Sequence, residues 1–204
     1  MGDDKKRYRT ILMFGAPGSG KGTQGKVIGA LPGFFHLACG DVFRSLNPNS
    51  DLGKTFLQYS SQGKLVPDNF TVELWLDHIH RLVHTKHFHP DEEILILDGI
   101  PRNRHQAETM AEYIDVVLLI CLSADDQEVL IQRMRRRALH ENRLDDANED
   151  VIRSRFTEYE AETKPVLEYY PSELVHYVDT TGTPIEALMG VAQAVHDTAG
   201  PSVK

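Results

Sequence analysis

The sequence predicts an α/β fold, a P-loop three-layer sandwich in which helices cover both faces of a five-stranded parallel sheet. Three observations lead to this prediction. Short apolar runs alternate with longer amphipathic segments along all 204 residues. The apolar runs are hydrophobic on both faces, which is typical of buried parallel strands. A glycine-rich loop follows the first run and opens the first amphipathic segment, as phosphate-binding loops do.

Five strands and six helices are expected from these patterns. The predicted strands cover residues 10–14, 34–38, 94–97, 116–122 and 174–178. The predicted helices cover residues 21–31, 69–84, 103–113, 125–137, 149–170 and 184–196. Ser123 and Asp126 have the spacing of a capping box for the fourth helix, and Pro165 is expected to kink the fifth. Two polar segments, about 40–67 and about 138–147, do not contribute to the sheet.

Composition and charge restrict the classes of function. The chain is 41% hydrophobic and 25% charged, which fits one compact soluble domain. A net charge of −8 argues against nucleic acid or anionic lipid as a partner. The longest apolar run is too short to span a bilayer, and no signal peptide is recognisable. Two cysteines, Cys39 and Cys121, form no disulfide framework, so a cytoplasmic location is expected.

The stretch GAPGSGKGTQ is a phosphate-binding loop with unusual spacing. Its glycines permit the backbone angles by which several N–H groups point toward one anion, and its lysine adds a cation. The general pattern has Ser or Thr directly after the lysine, whereas this chain has Gly22 there and Thr23 one residue later. The residues predicted to bind nucleotide phosphates are Gly15, Ala16, Pro17, Gly18, Ser19, Gly20, Lys21, Gly22 and Thr23.

Polar residues follow the ends of two further predicted strands, where ligands bind in open α/β sheets. Arg44 lies in ACGDVFR and Arg102 in DGIPRNRHQAE, and their guanidinium groups could together hold a dianionic phosphate. Asp98 ends a strand and suits the binding of Mg²⁺ through water.

The segment RMRRRALHENRLDD is rich in arginine. Arg133 and Arg137 are four residues apart and share a helix face, Arg143 follows after a short connection, and Arg153 and Arg155 lie on the next predicted helix. Several arginines that converge on one site fit the charge of a phosphoryl group in transfer. A nucleic-acid surface is disfavoured by the net acidity and by the absence of interleaved aromatic residues.

Together these motifs resemble the nucleoside monophosphate kinases, in particular the short-lid adenylate kinases. The resemblance covers nearly the whole chain, from residue 11 to about 195. In that family the phosphates and water largely hold the metal, so a hydroxyl directly after the lysine is not required. The resemblance implies reversible, Mg²⁺-dependent phosphoryl transfer from ATP to AMP, giving two ADP. It also implies a monomer without structural zinc, and with neither nucleic acid nor membrane as a partner.

The resemblance assigns roles on the ATP side. Residues that match Arg133 stack on the ATP adenine, and those that match Arg137 and Arg143 contact phosphate. Counting back from the TKP motif selects Arg155 as the remaining phosphate arginine. Counting forward from Arg143 arrives at Ser154, which indicates one inserted residue and leaves Arg153 as the alternative. The implied catalytic residues are Lys21, Arg102, Arg137, Arg143 and Arg155.

On the acceptor side, GKLVP resembles a family turn whose backbone lies against the acceptor base. Gln106 falls where adenylate kinases have the glutamine that reads adenine, which favours AMP. Cys39 replaces the usual Ser or Thr and is a weak hydrogen-bond partner, so a UMP/CMP kinase remains the alternative. The implied AMP-binding residues are Cys39, Arg44, Lys64, Leu65, Val66, Gly99, Arg102, Gln106, Arg143 and Arg155.

The expected division of the chain is a core domain of residues 1–39, 68–137 and 148–204, a helical NMP-binding insertion of residues 40–67, and a short lid of residues 138–147. A regulatory nucleotide-binding P-loop protein is the alternative from another class. It would carry a hydroxyl directly after Lys21 and, for a GTPase, an NKxD motif, and the sequence has neither.

Overall fold

The structure is a computed structural model that describes residues 7–124, 126–141 and 148–199. Its five strands form one parallel sheet in the order β2-β3-β1-β4-β5, which confirms the predicted fold class. The strands are β1 (Tyr8–Gly15), β2 (Phe34–Ala38), β3 (Ile94–Asp98), β4 (Ile114–Ser123) and β5 (Val175–Asp179). Each of the five predicted strands is present, with ends that differ from the prediction by two residues at most; β5 begins one residue later than predicted.

Eight α-helices surround the sheet in the described residues. They are α1 (Lys21–Ile28), α2 (Cys39–Arg44), α3 (Asp51–Ser60), α4 (Asp68–His84), α5 (Arg104–Met110), α6 (Gln127–Glu141), α7 (Glu149–Glu158) and α8 (Pro184–Ala199).

The two faces of the sheet pack against different helices, which explains why the strands have no polar face. In β1, Leu12 and Phe14 join a core cluster that includes Trp75 of α4 and Met110 of α5. Ile11 alternates with them and packs in a second cluster that includes residues of α1 and α8. Since both faces exclude water, every strand position in the centre of the sheet is best filled by an apolar side chain.

The segment after α7 departs from the single long helix that the sequence predicts. The α-helix ends at Glu158, a π-helical turn covers Tyr159–Thr163, and a 3₁₀ helix covers Lys164–Tyr169. Pro165 has no backbone N–H to continue an α-helix, so the predicted break is present. It begins at Tyr159, before the proline, and the Thr163 hydroxyl at the end of the π-helical turn donates a hydrogen bond to the Arg102 carbonyl at 2.8 Å.

The capping box predicted for the fourth helix is wrong. The Ser123 hydroxyl donates to the Val178 carbonyl at 3.4 Å, because Ser123 is still the last residue of β4. The Asp126 side chain instead accepts from the Glu128 N–H at 2.8 Å, and α6 begins at Gln127.

The two polar segments contribute no strand within the described residues. Residues 40–67 contain most of α2 and all of α3, followed by a turn that leads into α4. Residues 138–141, predicted as the start of the lid, continue helix α6. The rest of the predicted lid, residues 142–147 with Arg143, lies outside the described residues. Among the helices that are described, none is both long and apolar enough to cross a membrane.

Candidate nucleotide site

A cavity of about 930 Å³ lies at the carboxyl ends of the central strands. The structure brings most of the predicted site residues together in its wall. They are Gly15, Pro17, Gly18, Ser19, Gly20, Lys21, Gly22, Thr23, Cys39, Arg44, Lys64, Leu65, Val66, Asp98, Gly99, Arg102, Gln106, Arg133, Arg137 and Arg155. Ala16 is placed differently, because it packs against the apolar cluster between α6 and α7.

The glycine-rich loop connects β1 to α1 and surrounds the Lys21 ammonium group. Lys21 Nζ donates to the carbonyl oxygens of Gly15 at 2.6 Å and Ala16 at 3.0 Å. Burial lowers the pKa of Lys21 to about 8; Asp98 opposes this shift, and the nearby cationic groups, which include Arg102, add to it. The loop therefore holds one cation in a poorly solvated position. A bound anion would reduce the free-energy cost of burying that charge.

Two loop glycines of positive φ have different surroundings, and they supply a stability test. Gly18 has φ +81° and Gly20 has φ +100°, so alanine at either position costs about 1–2 kcal/mol of backbone strain. A Cβ at Gly18 would lie 2.6 Å from the Leu130 carbonyl oxygen, whereas one at Gly20 meets nothing within 4 Å. We expect Gly18→Ala to lower the free energy of unfolding by about 1–3 kcal/mol more than Gly20→Ala, measured by urea denaturation. Equal losses would contradict the contact between the loop and α6.

The absence of a side chain at Gly22 opens the start of α1 to Asp98. A Cβ at position 22 would lie 3.3 Å from Asp98 Oδ2, closer than most such contacts. The Asp98 carboxylate thus lies beside the phosphate loop in the cavity wall. One carboxylate in company with substrate phosphates is a donor set that suits Mg²⁺, which keeps several of its water ligands in proteins.

The cavity is strongly basic although the chain as a whole carries a net charge of −8. Nine lysines and arginines line it, against three acidic side chains. The acidic residues are Asp41, Asp98 and Glu158, and the basic ones are Lys21, Lys26, Arg44, Lys64, Arg102, Arg133, Arg136, Arg137 and Arg155. Since like charges repel, such a concentration indicates a ligand with several negative charges.

The two predicted acceptor arginines are held in place by neighbouring groups. Arg44 Nη2 donates to Asp41 Oδ1 at 2.7 Å, and Asp41 Oδ2 lies 3.8 Å from Nζ of Lys26 on α1. Arg102 Nε donates to the Gly99 carbonyl at 2.8 Å. Each guanidinium is therefore already restrained where it lines the cavity. A phosphate that binds there would cost less side-chain conformational entropy than one that has to order two free arginines.

Arg153 and Arg155, between which the sequence could not decide, have different surroundings in the structure. Arg155 lines the cavity. Arg153 is exposed, and its Nη2 donates to Glu149 at 2.9 Å and to Glu128 at 3.0 Å. Arg153 therefore joins α7 to α6 through ion pairs and does not line the cavity.

Cys39 and Gln106 are both nearly completely buried in the wall on the acceptor side. Cys39 is 2% exposed, and burial raises the pKa of its thiol to about 12, so the sulfur is a neutral, weak hydrogen-bond partner. Gln106 is 1% exposed, and its side-chain amide is hydrogen-bonded to Arg102 N and to Asp68. Of these two side chains, the amide is therefore the stronger hydrogen-bonding group.

The turn before α4 lies against α7, which brings the acceptor side close to Arg155. The Leu65 N–H donates to Glu158 Oε1 at 3.3 Å, and the Ser154 hydroxyl donates to the Gln62 carbonyl at 3.0 Å. A Cβ at Gly63 would lie 2.7 Å from the Val151 carbonyl oxygen. Only glycine permits so close an approach of these two segments.

The segment that follows β5 also lines the cavity and was not predicted from the sequence. Thr180, Gly182, Thr183 and Pro184 line the cavity, and Arg133 Nη2 donates to the Thr180 carbonyl at 2.8 Å. The sequence does carry one signal for this segment, a capping box at the start of α8. The Thr183 N–H donates to Glu186 Oε2 at 2.7 Å, the Glu186 N–H donates to Thr183 Oγ1 at 3.3 Å, and α8 begins between them.

Other cavity residues, among them Thr71 and Tyr159, were not predicted from the sequence either. Thr71 lies one turn after Asp68 on α4, and the Tyr159 phenol has its pKa raised by burial. Neither belongs to a motif that the sequence displays.

Comparisons with known proteins agree on one family. The family model described as adenylate kinase matches residues 13–175. The adenylate kinase of Flavobacterium johnsoniae is 36% identical over 180 residues, which cover 85% of this chain and 90% of that protein. The adenylate kinase of Flavobacterium psychrophilum is 32% identical over 92% of this chain and 98% of its own length. That of Porphyromonas gingivalis is 34% identical over 91% and 94% of the two chains.

Proposed function

The chain belongs to the adenylate kinase family, and we propose that its cationic residues hold the two substrates of that activity at opposite ends of one cavity. It is a nucleoside monophosphate kinase, an ATP:AMP phosphotransferase that converts ATP and AMP reversibly into two ADP. The observation that carries the proposal is the basic cavity itself, which joins the phosphate loop to the acceptor arginines in a chain of net charge −8.

The phosphate loop and α6 bind ATP in this proposal. The loop N–H groups and Lys21 hold the β- and γ-phosphates, supported by the positive end of the α1 dipole. Arg133 lies against the segment that follows β5, so the adenine of ATP would stack there. Arg137 and Arg155 face the phosphates, and Arg143 is proposed to join them from the lid.

The opposite wall binds AMP. Arg44 and Arg102 hold its phosphate by charge-assisted hydrogen bonds, and Gln106 reads its base. The remaining contacts are proposed for Cys39, Lys64, Leu65, Val66 and Gly99, which line the same wall.

Adenylate kinases use ATP with Mg²⁺, and Asp98 is the residue that would hold the ion through water. When bound, Mg²⁺ neutralises charge on the transferring phosphates. The carboxylate and the loop lie on the same side of the cavity, which is where the phosphates of ATP would be.

Alignment and charge neutralisation account for catalysis without a general base. The acceptor oxygen of AMP is already an anion at neutral pH, so it can attack the γ-phosphorus in line while ADP leaves. Lys21 and the arginines stabilise the charge that spreads over the transferring group. Residues 40–67 and the lid, residues 138–147, are proposed to close over the substrates and exclude water. The enzyme is proposed to act as a cytoplasmic monomer.

An acceptor panel tests this assignment. We expect the enzyme to phosphorylate AMP with MgATP at least about tenfold more efficiently, in kcat/KM, than CMP, UMP or GMP. Uracil and guanine would lose hydrogen bonds to the Gln106 amide, and cytosine, with a single ring, would bury less apolar surface in the cavity than adenine. A reaction without acceptor measures ATP hydrolysis. Faster reaction with a pyrimidine nucleotide would indicate a UMP/CMP kinase, and ATP consumption only in the reaction without acceptor would exclude the assignment of Arg44 and Arg102.

A further inference from the structure

The Gln106 amide lies between two partners of opposite hydrogen-bonding character. Its Oε1 accepts from the backbone N–H of Arg102 at 2.7 Å, and its Nε2 donates to Asp68 Oδ1 at 2.8 Å. A backbone N–H can only donate, and a carboxylate has no hydrogen to donate. If the amide turned over, its NH₂ group would face the N–H and its oxygen would face the carboxylate. Chemistry therefore permits only one orientation of this buried side chain.

Asp68 is itself held by the same local network. Asn103 Nδ2 donates to Asp68 Oδ1 at 2.8 Å, while Asn103 Oδ1 caps α5 by accepting from the Gln106 N–H at 2.8 Å. Asp68 is the first residue of α4 and is 38 residues from Gln106 in sequence. Unlike Gln106, it does not line the cavity, and its hydrogen bond to the Gln106 amide links its carboxylate to the wall.

The fixed amide still has one unused lone pair on Oε1 and one unused hydrogen on Nε2. It therefore offers a base an acceptor and a donor in a defined order. Adenine and cytosine carry an amino group beside an unprotonated ring nitrogen, which complements that order. Hypoxanthine, guanine and uracil carry a carbonyl beside a ring N–H, which opposes it.

We propose that Asp68 is a positioning residue that sets the base selectivity of the acceptor site by fixing the orientation of Gln106. The inference rests on the proposed function, since it requires AMP to bind against this wall. The selectivity it describes separates amino from carbonyl bases, and does not depend on the size of the base.

IMP is the direct probe, because it differs from AMP only by a carbonyl group and a ring N–H in place of the amino group and free ring nitrogen. Two hydrogen bonds become repulsive contacts at a buried site. We expect the wild-type enzyme to use IMP at least about 100-fold less efficiently than AMP, in kcat/KM.

Asp68→Ala tests the role of the carboxylate. Without it the amide can turn over more easily, so we expect the ratio of kcat/KM for AMP to that for IMP to fall about tenfold. The KM for AMP should rise about tenfold, while the KM for ATP and the kcat at saturating AMP stay within about threefold. Asp68→Asn, whose amide oxygen can still accept from Gln106, should restore most of the selectivity. Asn69→Ala, an exposed neighbour on the same helix, is the matched control.

The outcomes are separable. If Asp68→Ala has the same ratio of kcat/KM for AMP to kcat/KM for IMP as the wild-type enzyme, the proposed role of Asp68 is wrong. It is also wrong if the wild-type enzyme uses AMP and IMP with equal kcat/KM. Failure of the wild-type enzyme to phosphorylate any nucleoside monophosphate would instead overturn the proposed function. If Asp68→Ala does not fold, Asp68→Ser repeats the test, because serine also removes the carboxylate and is well tolerated at a helix N-terminus.

Discussion

Replacing Lys21 by methionine is expected to lower kcat for phosphoryl transfer at least about 10³-fold, the scale on which single cations act in this chemistry. Methionine has a similar length and no charge, so it removes the cation and leaves most of the packing. The ammonium group lies in the loop between the Gly15 and Ala16 carbonyls, where a bound γ-phosphate would approach it. Among the described residues, no other lysine is hydrogen-bonded to the Gly15 and Ala16 carbonyls.

The variant should remain folded. Burial lowers the pKa of Lys21 to about 8, so the charged form is disfavoured in the free protein. Removing it relieves that penalty, and we expect the midpoint of urea unfolding not to fall. Lys54→Met is the matched control, because Lys54 is exposed on α3 and does not line the cavity. A Lys21→Met enzyme that retained a tenth of wild-type kcat would exclude Lys21 from transition-state stabilisation.

The strands and the phosphate loop could be predicted because their signals are local. A strand such as Ile94–Asp98 is buried on both faces, so its five letters are almost all apolar. The loop depends on glycines and a lysine that are adjacent in the chain. In both cases the residues that form the strand or the loop are adjacent in sequence, so their identities alone are enough to predict it.

The parts that could not be predicted depend on partners distant in sequence or on backbone atoms. The Thr180 carbonyl accepts a hydrogen bond from Arg133, 47 residues away. Every residue has a backbone carbonyl, so the sequence cannot indicate which one will accept this bond. Gln106 is hydrogen-bonded to Asp68, 38 residues away, and the identity of either residue does not predict this contact. The Thr163 hydroxyl, at the end of the π-helical turn, likewise bonds to a backbone carbonyl distant in sequence, that of Arg102.

The choice between Arg153 and Arg155 shows how little sequence counting can settle. Counting along the sequence from the two flanking motifs gives positions that differ by one residue, and this leaves both arginines as candidates. On a helix each residue turns by about 100°, so residues two apart point to nearly opposite sides. The faces that they occupy depend on how α7 packs, and Ile152 and Phe156 direct it by burying their side chains against α6.

Arg155→Ala is expected to lower kcat about 10²- to 10³-fold, while Arg153→Ala changes it by less than about threefold. Arg155 lines the cavity and is close enough to Lys21 to help lower the pKa of that lysine. Arg153 makes exposed ion pairs with Glu128 and Glu149, and such pairs contribute about 0.2–1 kcal/mol to stability. The measurement is the steady-state kcat of both variants, whose substituted residues lie on the same helix. Urea unfolding checks that both variants are folded.

The distribution of the loss between kcat and KM carries the mechanistic information. If Arg155 stabilises charge that develops on the transferring phosphoryl group, kcat should fall and the KM values for both nucleotides should change little. A rise in KM for AMP with kcat unchanged would instead make Arg155 a binding residue of the acceptor site, which lies beside it through the contact of Leu65 with Glu158. A larger loss in Arg153→Ala than in Arg155→Ala would contradict the placement of both side chains, since only one of them can face the phosphates from this orientation of α7.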